Sequence, residues 1–250
     1  MRRLLFGSIV PLSLLAGWEW SSRSGTLRFE SLSRPSDILR AGYRGVHDGS
    51  ILLATAQTFE TALLGLAIAA LAGILFGVVL GLAPILDRVT SPTVEALRAI
   101  PAVAFMPLAL MMFGFGVGLE ASIVAYACVW PILIVTVSAV RSVEPRLLEV
   151  ADALELSFLE TFLKVVLPAA LARINVGLRV AAGIALVVAV TVEIVLSPRG
   201  LGYALILAQQ SLKTDVMYAQ LLWLCVLGIA LNAVLRRLGG GQHVQWRPAR

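Results

Sequence analysis

Three carboxylates spaced three residues apart are the most distinctive polar feature of the chain. Glu149, Asp152 and Glu155 would lie along one face of a helix, because residues three or four apart are neighbours on a helix. A second, apolar face is predicted from spacings of three or four among Val150, Ala153, Leu154, Phe158, Phe162 and Val166. Helices that lie on a membrane usually carry a basic polar face, so this acidic one favours docking to another protein.

Catalytic chemistry is not indicated by the other polar residues. An intramembrane enzyme needs a nucleophile with a base, or clustered carboxylates, on its apolar segments. Both histidines, His47 and His243, lie outside those segments, and the Gly-x-x-x-x-Gly-Lys-Ser/Thr sequence that cradles nucleotide phosphates is absent. Cys128 and Cys225 fit no metal-site spacing, and we expect them to act as small apolar side chains. A disulfide between them would need a geometry that sequence does not show.

The elements that must position the acidic segment are apolar helices. Of the 250 residues, 59% are hydrophobic and 14% charged, and the mean hydropathy is +0.90, whereas an ordinary soluble domain is about a quarter charged. Several uncharged gaps reach the roughly 20 residues that cross a bilayer. They separate Glu60 from Asp87, Arg98 from Glu120, Glu120 from Arg141, and Asp215 from Arg236. The sequence therefore predicts an all-α, polytopic membrane protein with about six transmembrane helices.

Some local features of these spans are also predicted. The approximate bounds of the six spans are 4–20, 58–82, 100–114, 120–140, 174–196 and 215–235. The first resembles a signal sequence, but we favour an uncleaved helix. Pro101 and Pro107 predict a broken third span, and Gly73, Gly77 and Gly81 predict a face that another helix approaches closely. Turns are expected at Asp87-Arg88, at Gly114-Gly116-Gly118 and over 197–214.

The spans divide the chain into three predicted regions. Residues 1–57 form an N-terminal transmembrane helix and a polar external connector, 58–238 a transmembrane core with a cytoplasmic loop at 141–173, and 239–250 a cytoplasmic tail. Both termini are then cytoplasmic. This orientation places thirteen of the twenty Lys and Arg residues inside, although five arginines of the connector oppose it. The net charge of +5 comes from basic residues at span ends, so we predict lipid contact and no nucleic-acid binding.

The 149–168 segment resembles the signature of the permeases of binding-protein-dependent ABC importers. That signature reads Glu-Ala-Ala, three residues, Gly, nine residues, Ile-x-Leu-Pro. The chain keeps every spacing and matches it at Glu149, Ala151, Leu167 and Pro168, with Val165 in the Ile position. It departs from the signature at two positions, with Val150 for the first Ala and Glu155 for the glycine. If that glycine is left-handed, Glu155 costs on the order of 1 kcal/mol or forces another turn.

Further motifs between about 55 and 246 resemble the nitrate, sulfonate and taurine permease branch. They are Ile100-Pro101, Pro107-Leu108, Phe113-Gly114-Phe115-Gly116, Val192-Glu193-Ile194, Gly200-Leu201-Gly202-Tyr203, and Arg236-Arg237 with Trp246. The resemblance implies a type I (MetI-like) permease architecture in a bacterial plasma (inner) membrane. It implies a pathway between two permease chains, expected to be a homodimer, with ATP bound by cytoplasmic ABC ATPase subunits and no cofactor in this chain.

The resemblance also assigns roles to individual residues. The ATPase-coupling residues would be Glu149, Val150, Ala151, Asp152, Ala153, Leu154, Glu155, Leu156, Val165, Leu167 and Pro168. Candidate pathway residues are Pro101, Met106, Pro107 and Glu193. An acid within a span is a functional candidate, but Glu193 is equally suited to bonding a neighbouring helix or capping the 197–202 turn. We expect Arg179 to extend toward the inner interface.

The implied function is import of a small, anionic solute of the nitrate, sulfonate or taurine class. An external or periplasmic solute-binding protein would deliver it. The same transporter type for a pyrimidine or thiamine precursor, a flavin or bicarbonate is an alternative. An intramembrane enzyme is the alternative of a different class.

Overall fold

The computed structural model describes residues 13–14, 16–24 and 32–238, and the regular secondary structure of these residues is helical. Most of the predicted first span at 4–20 and all of the predicted tail at 239–250 lie outside the described residues. The described residues form two compact units. The first unit comprises Met1–Thr58 with Glu193–Leu227, and the second comprises Phe59–Val192 with Gly228–Arg250, in each case within the described residues.

The helices follow one another along the chain with short connections. Their bounds are α1 Pro35–His47, α2 Ser50–Leu82, α3 Pro84–Ala99, a 3₁₀ turn Ala102–Phe105, α4 Met106–Phe113, α5 Val117–Arg141, α6 Pro145–Ala153, α7 Phe158–Thr161, a π-helical turn Phe162–Val166, α8 Leu167–Val195, α9 Gly200–Gln210 and α10 Thr214–Leu238. The all-α class predicted from the sequence is confirmed for the described residues.

Four helical stretches of the described residues are long and apolar enough to cross a bilayer. They are Ser50–Leu82, Val117–Arg141, Phe158–Val195 and Thr214–Arg237. The pair Pro84–Ala99 and Ala102–Phe113 is also apolar enough when taken together, and its helices meet at an 84° bend, as in a broken span or a re-entrant loop. The predicted break near Pro101 is therefore confirmed. Pro101 disfavours helical geometry at Ile100, which adopts ψ 123° instead.

Some predicted boundaries are wrong. The turn expected at Asp87-Arg88 is helical, because α3 starts immediately at Pro84 and continues through Pro92. The second span begins at Ser50 rather than near 58. At this start, the Asp48 side chain accepts a hydrogen bond of 2.9 Å from the Ser50 N–H. A hydrogen bond from the Ser50 hydroxyl, and after it the one from the Ser50 N–H, lowers the pKa of Asp48 below its usual value. The predicted loop at 197–214 contains α9.

Close packing of α2 against α5 forms the centre of the second unit. A Cβ atom on Gly73 would lie 2.9 Å from Ile132 Cγ2, and one on Gly77 would lie 2.6 Å from Thr136 Cβ. The predicted close approach at the glycine face is therefore confirmed. Buried alanines of α8 complete this core together with Cys128, whose thiol donates to the Ala181 carbonyl at 3.3 Å.

Candidate coupling segment and buried carboxylates

The acidic segment begins with α6, which ends in a left-handed cap at Glu155. The Leu156 N–H donates to the Ala151 carbonyl at 3.1 Å, and the Glu155 N–H donates to the Asp152 carbonyl at 3.0 Å. This pair of bonds is the Schellman motif, in which glycine usually takes the left-handed position. Glu155 occupies that position with φ 50°. The turn therefore keeps the geometry of a glycine cap, and Glu155 is strained within it.

The next helix, α7, begins with a capping box that the sequence reading missed. The Ser157 N–H donates to Glu160 Oε2 at 3.1 Å, and the Glu160 N–H donates to Ser157 Oγ at 3.4 Å. The spacing Ser-x-x-Glu is a recognisable sign of a helix start and was available in the sequence. Lys164 adds an ion pair to Glu160 at 2.8 Å. Two caps thus fix the connection between α6 and α7.

A π-helical turn joins α7 to the long helix α8. It covers Phe162–Val166 and ends two residues before Pro168. Proline has no N–H to donate to the carbonyl four residues earlier, and wide turns absorb such interruptions in a helix. Val166 is buried in a cluster with Ala139 and Val140 of α5 and Ala170 of α8. The segment is therefore packed against the ends of two long helices of the second unit.

The surface of the segment combines exposed apolar and acidic side chains. Val150, Leu154 and Phe158 are 56%, 66% and 75% exposed, whereas Ala151 is buried at 1%. The other candidate coupling residues are exposed (Glu149, Asp152, Ala153, Glu155, Pro168) or half-buried (Leu156, Val165, Leu167). The predicted apolar face is thus divided: its first part is exposed and Val166 belongs to the core.

In the first unit, three side chains cap the start of α9. The N–H groups of Gly200, Leu201 and Gly202 donate to Gln57 Oε1, Thr58 Oγ1 and Glu193 Oε2 at 3.0, 3.0 and 2.8 Å. These are donors that a helix N-terminus leaves without intrahelical partners. The Thr58 hydroxyl also donates to Glu193 at 2.9 Å. Glu193 is 1% exposed, and its hydrogen bonds are those of a helix cap. A structural role of this kind was one of the two that the sequence suggested, beside that of a pathway residue.

A second buried carboxyl group, Glu120, was missed by the sequence reading. Its Oε2 accepts a hydrogen bond of 2.6 Å from Thr61, and both residues are fully buried in the second unit. Glu120 separates two uncharged gaps in the sequence, and that position indicates only the end of a span. Nothing in the sequence indicates which hydroxyl lies opposite it, because the pair is 59 residues apart.

The other candidate pathway residues lie at the bend between α3 and α4. Pro101 and Pro107 are exposed, whereas Met106 is buried at 2%. Arg141, the last residue of α5, forms an ion pair of 2.9 Å with Asp87 of α3 and donates to the Leu80 carbonyl of α2 at 3.0 Å. This cation therefore ties the ends of α2 and α5 to α3.

Comparison with known proteins identifies the class to which this fold and segment belong. The family described as "binding-protein-dependent transport system inner membrane component" matches residues 69–240, and the chain belongs to that family. The fold is similar to that of solved structures of the MetNI methionine ABC transporter in inward-facing conformations. One has a TM-score of 0.62 at 21% identity, covering 83% of this chain and 98% of that chain.

Several curated relatives are similar over most of their length. The putative aliphatic sulfonates transport permease protein of Bacillus subtilis (strain 168) is 28% identical over 96% of this chain and 87% of its own. The taurine transport system permease protein of Escherichia coli (strain K12) is 30% identical over 79% and 72%. The bicarbonate transport system permease protein of Synechococcus elongatus is 31% identical over 92% and 88%.

The chain is the membrane-spanning permease subunit of an ABC importer, and it is a transport subunit rather than an enzyme. It is a multi-pass membrane protein close to the sulfonate, taurine and nitrate permeases. The family context implies an ATPase and a solute-binding protein as partners.

Proposed function

We propose that the chain lines the translocation pathway for a small anionic solute of the nitrate, sulfonate or taurine class. The names of its relatives support this class, since they include permeases for sulfonates, taurine and nitrate. An external binding protein delivers the solute, and two copies of the chain form the pathway along their interface. ATP is bound by separate cytoplasmic subunits. Pro101, Met106, Pro107 and Glu193 are the proposed pathway residues.

The observation that carries the proposed coupling is the exposed surface of α6 and α7. Val150, Leu154 and Phe158 expose more than half of their area beside the exposed acids. Covering exposed apolar side chains with a partner lowers the free energy of the complex, and the acids favour a basic partner surface. Val166 packs the segment against Ala139 and Val140 of α5, and the segment continues into α8. A displacement of the partner is therefore transmitted to these membrane helices.

We further propose an orientation and a domain organisation for the chain. Residues 141–173 face the cytoplasm as the coupling loop, and both termini, including the tail at 239–250, lie on the same side. The proposed core spans 58–238, although its first helix already begins at Ser50, and residues 1–57 supply a further transmembrane helix and an external connector. The lysines and arginines near the span ends support this orientation.

The coupling proposal is tested by capturing the ATPase subunit with purified permease variants. We expect Phe158→Asp to reduce capture at least about tenfold, because a charge replaces an apolar contact in the covered surface. Leu212→Asp is the matched control, since Leu212 is also an exposed large apolar residue but lies in the first unit. Equal capture by the two variants, both inserted in the membrane, would contradict the proposed docking surface.

The solute class is tested on the cognate binding protein. We expect sulfonates, taurine or nitrate to raise its melting temperature. Bicarbonate is the second candidate, supported by the 31% identical bicarbonate permease. Stabilisation by a pyrimidine or thiamine precursor, or by a flavin, with no response to anions would overturn the proposed class.

A further inference from the structure

A groove in the second unit has the lining of a small-molecule site. Its volume is about 420 Å³, and it lies between α2 and α8 beside the end of α10. Leu63, Leu66 and Ala67 of α2 and Leu178 of α8 supply apolar walls. The polar side chains of the lining are Asn175 and Arg179. Ligand sites commonly enclose about 300–1,000 Å³ and combine mainly apolar walls with a few polar groups.

Arg179 is the residue that requires an explanation. It lies in the candidate span Phe158–Val195 and is half-buried. Among the described residues, no carboxylate lies within 4.0 Å of its guanidinium. A cation within a membrane helix is costly unless it faces a cavity or an anion. The groove supplies the cavity, so the missing component is the anion.

Asn175 lies one helical turn before Arg179 and lines the same groove. Guanidinium and amide N–H groups together are donors for several oxygens of one anionic group. Among the residues that the structure describes, no Asp or Glu lines the groove to receive an ammonium group. An anion without an alkyl chain, such as nitrate or bicarbonate, would leave the leucine walls without apolar contacts. The lining therefore favours a monoanion with an alkyl chain over nitrate, bicarbonate or an aminosulfonate.

We propose that this groove is a solute subsite of the pathway and binds an alkyl monoanion such as an alkanesulfonate. Arg179 and Asn175 hold the anionic group, and Leu63, Leu66 and Leu178 contact the alkyl chain. This subsite rests on the proposed function and narrows its solute class. An anionic lipid has the same chemistry, an anionic group joined to alkyl chains, so the experiment must separate the two sources.

The test is equilibrium binding of butanesulfonate to the full-length permease in nanodiscs of phosphatidylcholine, which has no net charge. We expect saturable binding that is at least about tenfold weaker in Arg179→Gln, because a hydrogen bond to a charged group is lost. Arg173→Gln is the matched control, since Arg173 is an exposed cation on the same helix and does not line the groove. It should bind like the wild type.

A second variant covers the case in which Arg179→Gln does not fold. Ala67→Phe places a large side chain in the groove from the exposed face of α2 and leaves Arg179 in place. We expect it to abolish butanesulfonate binding. Nitrate, bicarbonate and taurine should each bind at least about tenfold more weakly than butanesulfonate to the wild type.

Several results would overturn the subsite. Equal binding by wild type, Arg179→Gln and Ala67→Phe would place the sulfonate elsewhere. Stabilisation by phosphatidylglycerol nanodiscs that depends on Arg179, without any butanesulfonate binding, would make the groove a lipid site. If neither butanesulfonate binding nor phosphatidylglycerol stabilisation is observed, the partner of Arg179 is a protein carboxylate and the groove is not a ligand site. Capture of the ATPase does not depend on this groove, so failure of the subsite is distinguishable from failure of the proposed function.

Discussion

At the scale of single residues, Glu155 shows how a signature can lose a residue and keep its geometry. The glycine of the family signature is replaced, yet residue 155 still adopts φ 50° within an intact Schellman motif. Non-glycine residues in this region are strained, because Cβ approaches the following carbonyl oxygen. The surrounding caps and the burial of Ala151 hold the turn in place despite that strain.

We predict that Glu155→Gly stabilises the coupling segment by about 1 kcal/mol, because glycine adopts the left-handed conformation without the Cβ contact. Hydrogen exchange of the amides in 149–168 should slow in this variant. Glu149→Gly is the control, since it places glycine inside α6 and should destabilise the segment by a similar amount. Faster exchange in Glu155→Gly would show that the glutamate side chain stabilises the turn.

Gly200 is the second residue where backbone geometry decides the sequence. Its φ is 89°, and a Cβ atom there would collide with the carboxyl group of Glu193. Gly200→Ala should therefore displace the cap of α9 and lower the apparent melting temperature of the purified permease. Gly183→Ala is the control, because a Cβ atom on Gly183 meets nothing within 4 Å. If both variants melt alike, the three-residue cap contributes little to stability.

At the scale of elements, the glycine face of α2 determines how closely α5 packs. Gly65, Gly73, Gly77 and Gly81 each leave space that a side chain of α5 occupies. Within a bilayer, helix association depends on such close packing rather than on the hydrophobic effect. The same face carries the buried Thr61, which bonds Glu120 at the start of α5. Packing and one buried polar contact therefore fix the register of the two helices together.

Gly77→Ala should destabilise the permease by about 1–3 kcal/mol, because the new Cβ overpacks a contact with little room to relax. It would lie 2.6 Å from Thr136 Cβ and 3.0 Å from the Leu133 carbonyl oxygen. Thermal unfolding in one detergent measures the effect. Gly228→Ala in α10 is the control, since its Cβ meets nothing within 4 Å. A Gly77 variant as stable as this control would indicate that α5 moves away at little cost.

At the scale of the whole molecule, the chain separates two tasks between different residues. The acidic and apolar surface of α6 and α7 is suited to a protein partner, and Arg179 with Asn175 is suited to a solute. Both lie in the second unit, and α8 begins at Leu167, within the coupling segment, and carries Asn175, Leu178 and Arg179 of the groove. A single helix is thus adjacent to the proposed docking surface and contributes to the proposed subsite.

The amino-acid sequence by itself determined the membrane class and the apolar helical spans, and it predicted the proposed coupling segment. These depend on local features: uncharged gaps of bilayer length, the three-residue spacing of Glu149, Asp152 and Glu155, and a signature with intact spacings. The break at Pro101 and the glycine face of α2 were also readable, because proline and glycine act through their own backbone and size. Boundaries were less accurate, since the turn expected at Asp87-Arg88 lies inside the helix Pro84–Ala99.

Only the tertiary structure decided the partners of the buried polar residues. Glu193 caps α9 together with Gln57 and Thr58, and these contacts join residues about 140 positions apart. Glu120 likewise bonds Thr61, which is 59 residues away in the chain. Arg179 of α8 lines its groove with distant residues of α2. A buried polar group must find a hydrogen-bond partner, but the sequence does not specify which helix supplies it. Helix packing makes that choice, so these roles became visible only in the folded chain.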